Sequence, residues 1–367
     1  MGTEKDINIY YQNVRGLNTK IDEFSENVLI CQYDVIVLTE TWLHEGVYSS
    51  ELFHAKYNVY RCDRRGTKRG GGVLVAIKEG YESKHISVNC ETEALVVKLN
   101  FNNRFYYIVA PYFAPSSNVK TYRSLNKIFE QRPDFQNCKL IIIGDFNLPL
   151  ITDSSYRLNM GGMCYKELLN FLNLFNLRSI NDIRNSLGRT LDLILTNAQE
   201  NIVVHKEEFP LVKEDNHHPA LVLQLNIKSK VRKCNIKSVY NERNNFKKAN
   251  FDQLYRMFRD IDWTDLNNVC DVDEAVDMFY DRINAVLSQT VPKMKHKPSN
   301  KYPCWFNKQI IDTLKKKEFH RKRMKCNETS ESLFKEYRKK LKVLINRAYC
   351  NYVREIQDKV KSSPQFF

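Results

Sequence analysis

The stretch LIIIGDFNLP, Leu140–Pro149, contains the residues that decide the fold. Its four consecutive apolar residues, three of them β-branched, are typical of a short strand that is buried on both faces. Gly144 is expected to end this strand, so that Asp145 and Asn147 follow on the turn at its carboxyl end. Both side chains would then point into the crevice beyond the sheet. An ordinary strand that ends in an Asx turn gives the same pattern.

A carboxylate and an amide at such a position suit a phosphate ester. The carboxylate can hold a metal ion or activate water, and the amide can donate hydrogen bonds to a non-bridging oxygen. Whether this stretch is catalytic or structural therefore depends on what stands at the ends of the other strands.

Further strands are predicted from short apolar runs at residues 7–12, 34–39, 57–61, 73–78, 94–99, 105–110, 190–196 and 220–225. Helical spacing lies between several of them, so the predicted fold class is α/β, with two packed sheets and helices on the outer faces. Polar residues at or near the strand ends are Asn13, Glu40, Tyr112, Asp145, Asn147 and His217, and Asp192 lies within a strand. Each one alone is more often structural than catalytic. Their joint placement indicates a site.

The three glycines at residues 70–72 precede one of these strands. They lack the Lys-Ser/Thr ending of a P-loop, so we interpret them as a tight turn and not as a nucleotide-binding loop.

The positive charge is concentrated at one end of the chain. The 367 residues carry a formal net charge of +14, but residues 1–227 carry −1, residues 228–292 carry +1 and residues 293–367 carry the whole +14. This asymmetry predicts a polyanion-binding extension on a nearly neutral domain. The predicted division is a catalytic-type domain at 1–227, a linker with short helices at 228–300 and a basic, all-helical connector at 301–367.

The ten cysteines occur singly, which favours reduced thiols over disulfides or a zinc site. The amino terminus lacks the layout of a signal peptide and of a myristoylation motif, and no apolar run approaches the length of a membrane span. We therefore expect an intracellular protein without a membrane partner.

Seven motifs carry a family resemblance: YQNVRGL, VIVLTETWL, RGGGVLVAIK, APY, IIIGDFN, TLDLILTN and HHP, in that order. Over residues 6–226 the chain resembles the endonuclease/exonuclease/phosphatase superfamily, and more narrowly the apurinic-like endonuclease of LINE-like (non-LTR, jockey-type) retrotransposons. Residues 245–367 resemble the connector that follows this domain in such elements. A reverse transcriptase comes next in those elements, and this chain is expected to stop before it.

The resemblance implies a role for each polar residue. Glu40 would hold Mg²⁺, with Mn²⁺ as an alternative, since hard cations prefer carboxylate oxygens. Asp145 would activate water. Asn13, Tyr112 and Asn147 would hold the phosphate, and His217, oriented by Asp192, would contact it as a donor or acid.

Two residues depart from the family pattern. Asn216 stands where the family has an acidic metal ligand directly before the histidine, so weaker metal binding and reduced activity are expected. Asp215 would substitute for it, but in an extended segment its side chain should point away from the site. Arg15 stands where many relatives outside the retrotransposons have an acidic residue.

The predicted function is Mg²⁺-dependent hydrolysis of DNA phosphodiester bonds, namely the nicking of target DNA for retrotransposition. The alternatives are a catalytically weakened nucleic-acid-binding remnant and a phosphodiesterase of the same fold with another substrate. The basic helices would bind the backbone of DNA or RNA, or be merely a solvated face. Activity would take place in the nucleus, and the protein could also join a cytoplasmic ribonucleoprotein.

Overall fold

The structure is a computed structural model that describes residues 5–53, 56–64, 70–88, 90–101, 104–130, 135, 138–148, 162–227, 241–269, 272–296, 302–324 and 328–362. It has two compact units, residues 1–231 with 300–367 and residues 232–299. Pro149 and residues 228–240, which begin the predicted linker, lie outside the described residues. No helix in the described part of the chain is long and apolar enough to cross a bilayer.

The strands of the first unit are β1 (Lys5–Asn13), β2 (Val35–Thr39), β3 (Tyr57–Cys62), β4 (Val73–Lys78), β5 (Glu82–Ile86), β6 (Glu93–Phe101), β7 (Arg104–Tyr112), β8 (Lys139–Asp145), β9 (Arg178–Ser179), β10 (Asp192–Thr196), β11 (Asn201–Lys206) and β12 (Leu221–Ile227). Its helices are α1 (Ile21–Ile30), α2 (Ser49–Phe53), α3 (Val119–Glu130), α4 (Gly162–Leu174), α7 (Lys308–Arg323) and α8 (Glu328–Ser362). The second unit contains strand β13 (Asn241–Asn244), helices α5 (Phe251–Arg259) and α6 (Val272–Thr290), and strand β14 (Lys293–His296).

Two six-stranded sheets form the centre of the first unit. Their strand orders are β11-β12-β1-β2-β4-β3 and β5-β6-β7-β8-β10-β9. One apolar core fills the space between them, and two more lie on their outer faces, one with α1 and α2 and one with α3 and α4. The predicted two-sheet α/β sandwich with outer helices is confirmed.

Gly144 does not end the strand, contrary to the sequence-based expectation. β8 continues through it to Asp145, which pairs with Tyr112 of the parallel neighbour β7. A Cβ atom at Gly144 would collide with the carbonyl oxygen of Pro111. Glycine is therefore needed because two backbones approach closely, and Asp145 is held by a sheet instead of a turn.

The sequence does not predict β5, β9 or β11. All three are edge strands of their sheets, and none of their residues is fully buried. Edge strands without a buried face give no apolar period, which is the signal that sequence reasoning uses.

Helices α7 and α8 belong to the same compact unit as the sheets. Asn307 caps α7 by accepting a hydrogen bond from the Ile310 amide, and Leu314 of α7 and Leu341 of α8 are fully buried between the helices. We call this pair the α7–α8 hairpin. The division into domain, linker and connector stays a prediction, but the hairpin itself packs against the sandwich.

The second unit has a small core of its own. Leu254 of α5 and Val286 of α6 are buried together with Val291, and β13 pairs with β14 in antiparallel fashion. Asn250 caps α5 by accepting from the Gln253 amide.

Candidate active site

Four predicted residues meet at one end of the two sheets. Asn13, Tyr112 and Asp145 are the last residues of β1, β7 and β8, and Glu40 directly follows β2. Because β1–β2 and β7–β8 are parallel pairs, their carboxyl ends lie side by side. The Asn13 Nδ2 donates to Asp145 Oδ2 at 3.0 Å and approaches Glu40 Oε1 at 3.4 Å. The Tyr112 hydroxyl donates to the same Glu40 oxygen at 3.2 Å.

Asp145 is fully buried and well supplied with donors. It accepts from the backbone amide and from Nδ2 of Asn147, each at 3.0 Å. Asn147 has a left-handed φ of +48°, which asparagine tolerates, and its Nδ2 also donates to the Phe113 carbonyl at 2.6 Å. Burial raises the pKa of Asp145 and the charge of Asp192 raises it further, while His218 opposes the rise. The structure thus brings Asn147 to the site as predicted.

Asp192 lies directly opposite Asp145. It is the first residue of β10, and the antiparallel register pairs the two aspartates across adjacent strands. Its Oδ1 accepts a 2.6 Å hydrogen bond from the hydroxyl of Tyr11, and both of its oxygens lie within 3.1 Å of His218 Nδ1. Asp192 therefore orients a histidine, as predicted, but a different one.

His218, and not His217, is the histidine of the site. Its Nε2 lies 3.8 Å from Asp145 Oδ2, so the ring stands between the two aspartates. The structure does not bring His217, the residue that the family resemblance implies, into the site, because the chain turns between Asp215 and His218. Asp215 and His218 form an isolated bridge with a two-residue turn between them, and the two turn residues, Asn216 and His217, are exposed.

The charge of His218 follows from its neighbours. Burial alone would lower its pKa, but the hydrogen bond and charge of Asp192, together with the charges of Asp145 and Glu40, raise the pKa to about 9. The imidazole is therefore protonated at neutral pH. In this state it is a proton donor and not a metal ligand.

Asn216 is not brought into the site either. Its side chain is exposed, and its carbonyl accepts from the amide and hydroxyl of Ser186. Asp215 instead forms an ion pair with Arg15 at 2.9 Å. Asn216 and Arg15, the two residues that depart from the family pattern, thus both lie at the rim of the site. The expected weakening through Asn216 thus has no basis in the geometry.

Two groups of side chains have the chemistry to hold a cation. Asp145, Asp192 and His218 offer ligand atoms within 4.8 Å of one another. The other group is Glu40 with Asp145, whose carboxylates flank the same Asn13 amide. In the first group Asp192 already holds His218 Nδ1, whereas the two carboxylates of the second group fit the preference of Mg²⁺ for oxygen. The Glu40 side of the site is the better fit.

The three glycines at 70–72 support the loop after Glu40. All have positive φ, and the carbonyls of Gly71 and Gly72 accept from the amides of Trp42 and Thr41. The Gly72 amide donates to the Glu93 carboxylate at 2.6 Å. Because a carboxylate takes this amide, the loop is a structural support and not a phosphate-binding loop, in agreement with the sequence-based interpretation.

Sequence reasoning misses Tyr11 and His218. Tyr11 stands two residues before Asn13 in β1, so the strand period places both on one face and could have pointed to it. His218 has no comparable signal, because two adjacent histidines differ only through the turn that precedes them.

The Endonuclease/Exonuclease/phosphatase family matches residues 8–211, which is more than half of the chain. No curated protein sequence matches this chain. The fold is similar to that of the endonuclease domain of TRAS1, a telomere-specific non-LTR retrotransposon, at 13% identity over 61% of this chain and 100% of that chain, with a TM-score of 0.47. The AP endonuclease LMAP from Leishmania major is 13% identical over 61% of this chain and 88% of that chain, with a TM-score of 0.48. The 3'-5' exonuclease NExo from Neisseria meningitidis is 17% identical over 60% of this chain and 100% of that chain, with a TM-score of 0.45.

Proposed function

The chain belongs to the Endonuclease/Exonuclease/phosphatase family, and from this premise we propose that it is a Mg²⁺-dependent endonuclease that hydrolyses DNA phosphodiester bonds. Its biological role would be to nick target DNA for retrotransposition, in keeping with the LINE-like motifs. The observation that supports the hydrolytic proposal most is the His218 ring between Asp145 and Asp192, at the end of the sheets where Glu40 and Asn13 also lie.

Asp145 would take the proton of the attacking water. Its carboxylate is oriented by Asn13 and Asn147, whose side-chain amides both donate to Asp145 Oδ2 at 3.0 Å. To donate to the phosphate as well, Asn13 would exchange its longer 3.4 Å contact with Glu40 for a phosphate oxygen. Tyr112 stays a hydroxyl donor, because burial and the charges of Glu40 and Asp145 hold its pKa well above the usual range. Tyr112 and Asn13 would thus donate to the phosphate where charge develops during hydrolysis.

His218 would donate its proton to the phosphate or to the leaving oxygen. Asp192 fixes the ring through Nδ1, which leaves Nε2 on the side of Asp145. Glu40 would hold the Mg²⁺, or Mn²⁺ in its place, and the ion would supply charge neutralisation at the phosphate.

DNA is the proposed substrate, and RNA bound by the basic helices is a further proposed partner. We propose the nucleus as the place of activity, and a cytoplasmic ribonucleoprotein as the form in which an RNA-bound protein would travel.

Nicking of supercoiled plasmid tests the proposal, with Mg²⁺, Mn²⁺ or EDTA. We expect Asp145→Asn and His218→Ala each to lose a hundredfold or more of the rate, which is about the contribution of one proton-transfer group. His217→Ala is the matched control, since it removes the same side chain one residue away at an exposed position. The proposed site is refuted if His217→Ala loses activity and His218→Ala keeps it.

The same preparations should be tested on phosphoinositide and sphingomyelin vesicles. Lipid hydrolysis without plasmid nicking would show that the substrate is a lipid phosphodiester and not DNA, while the proposed site would remain valid. Salt-dependent DNA binding without any hydrolysis would identify the protein as a binding remnant.

A further inference from the structure

Helix α1 carries three acidic residues, and the α7–α8 hairpin supplies a cation to each. The ion pairs are Glu26–Lys317 at 2.5 Å, Glu23–Arg338 at 3.1 Å and Asp22–Lys342 at 3.6 Å. The hairpin therefore cancels the negative charge that α1 would otherwise present to solvent.

The first of these pairs fixes the hairpin in place. The side chain of Lys317 is only 2% exposed, and its Nζ also lies 3.4 Å from Asn27 Oδ1. Arg321, one turn further along α7, donates to the carbonyls of Phe209 and Pro210 at 2.8 and 3.2 Å. These contacts are specific in geometry, so the hairpin has a defined position on α1.

Helix α1 begins shortly after the candidate active site. Asn13 ends β1, Arg15 forms its ion pair at the rim, and Lys20 directly precedes α1. The Lys20 Nζ donates to the Val14 carbonyl at 2.6 Å. Burial lowers the pKa of Lys20 and Arg15 acts in the same direction, while Glu23 and Asp215 oppose them, so Lys20 interacts with both α1 and the rim.

Basic residues of α8 lie beside the start of α1, near Lys20. A groove of about 360 Å³ separates α1 from α8, and Thr19, Lys335 and Lys339 are among its lining residues. Lys339 is exposed and has no ion-pair partner in the part of the chain that the structure describes. Among the described residues, Lys335 pairs only with Glu331 of its own helix, and both side chains are more than half exposed. Such a pair is weak and readily exchanged for a phosphate.

We propose that Lys20, Lys335 and Lys339 form a cationic edge that binds the phosphate backbone of duplex DNA outside the catalytic centre. Duplex DNA is the expected ligand because the edge starts at the rim of a site whose proposed substrate is DNA. In this respect the inference rests on the proposed function. Contacts of this kind are sequence-independent and release counterions. The hairpin thus extends the substrate surface of the nuclease unit.

Fluorescence anisotropy of the full chain with a labelled DNA duplex of about 30 base pairs tests the edge, in EDTA and between 50 and 200 mM salt. We expect Lys335→Glu/Lys339→Glu to weaken binding at least tenfold and to reduce the slope of log affinity against log salt by about two, since each phosphate contact contributes about 0.9. The matched control is Lys359→Glu/Lys361→Glu, which makes the same charge change about 36 Å further along α8.

The control should lose less than threefold in affinity. Equal losses of affinity in both variants, or no loss in either, would overturn the proposal, because Lys335 and Lys339 would then contribute no more to DNA binding than the control lysines. Single-stranded RNA of the same length serves as competitor, and if it displaces the duplex at equal or lower concentration, duplex DNA is not the preferred occupant. Both variants change exposed side chains, and circular dichroism should show unchanged folding.

Plasmid nicking separates this proposal from the proposed function. The edge variant should raise KM while kcat changes by less than about twofold, because no changed residue touches the reacting atoms. Absence of nicking by the native chain would refute the proposed function, yet the binding measurement in EDTA would still decide whether the edge exists.

Discussion

Lys317→Met removes one partner of a buried ion pair and should strongly destabilise the first unit, residues 1–231 with 300–367. Lys317 is 2% exposed and Glu26 lies 2.5 Å away in a side chain that is 10% exposed, so little water can reach the carboxylate that is left behind. Breaking a buried pair in this way costs about 3–5 kcal/mol. We expect a loss of about 3 kcal/mol near pH 8, since the Lys317 site borders the partly exposed groove beside α1.

Urea unfolding followed by circular dichroism measures this loss. The control is Lys322→Met on the same helix, whose side chain is 62% exposed and 3.8 Å from Glu318, and which should cost less than about 0.5 kcal/mol. Adding Glu26→Gln to Lys317→Met should recover part of the loss, because the uncompensated charge disappears.

The pH dependence gives a second check. Burial raises the pKa of Glu26 and Lys317 opposes the rise, so Lys317→Met should raise this pKa further. A carboxyl group with a raised pKa in the folded state favours folding at low pH and loses that contribution as the pH rises through its folded pKa. The gap between Lys317→Met and the native chain should therefore shrink at pH 5. The buried ion pair of Lys317 with Glu26 would be refuted by equal losses of unfolding free energy in Lys317→Met and Lys322→Met. It would also be refuted if the stability difference between Lys317→Met and the native chain widened at pH 5.

Three further outcomes are expected. In the metal-free protein, NMR titration of His218 should give a pKa near 9, and Asp192→Asn should lower this pKa. Protonation of His218 stabilises the folded state fully below pH 6.5, the ordinary pKa of the group, and this stabilisation is lost as the pH rises through about 9. Tyr11→Phe should cost about 1–3 kcal/mol in urea unfolding, because Asp192 loses a buried donor, whereas an unchanged midpoint would contradict that bond. Gly144→Ala should cost more than about 2 kcal/mol, since its Cβ meets the Pro111 carbonyl, and a neutral result would show that β7 and β8 are not so close.

The sequence predicts the site where chain direction alone fixes the position. Asn13, Tyr112 and Asp145 end their strands and Glu40 directly follows β2, and parallel neighbours bring such ends together. No knowledge of loops is needed for this result. The two-sheet sandwich is also predicted from the sequence, except for three of its edge strands, β5, β9 and β11.

The sequence fails where a single turn decides. The choice between His217 and His218 depends on the two-residue turn after Asp215, and no residue type there distinguishes an extended segment from that turn. Lys317 poses a similar problem, because a lysine in a basic helix is normally solvated, and only the position of Glu26 on another helix explains its burial.

The register that pairs Asp145 with Asp192 has an energetic consequence for the whole fold. Two acidic side chains directly opposite each other on adjacent strands repel, and here both are shielded from water. The protein therefore carries at its candidate active site an arrangement that weakens its own native state, and the protonated His218 ring offsets only part of that repulsion. Neutralising Asp145 should remove this repulsion and leave Asp192 with its partners Tyr11 and His218, so Asp145→Asn should be harder to unfold than the native chain.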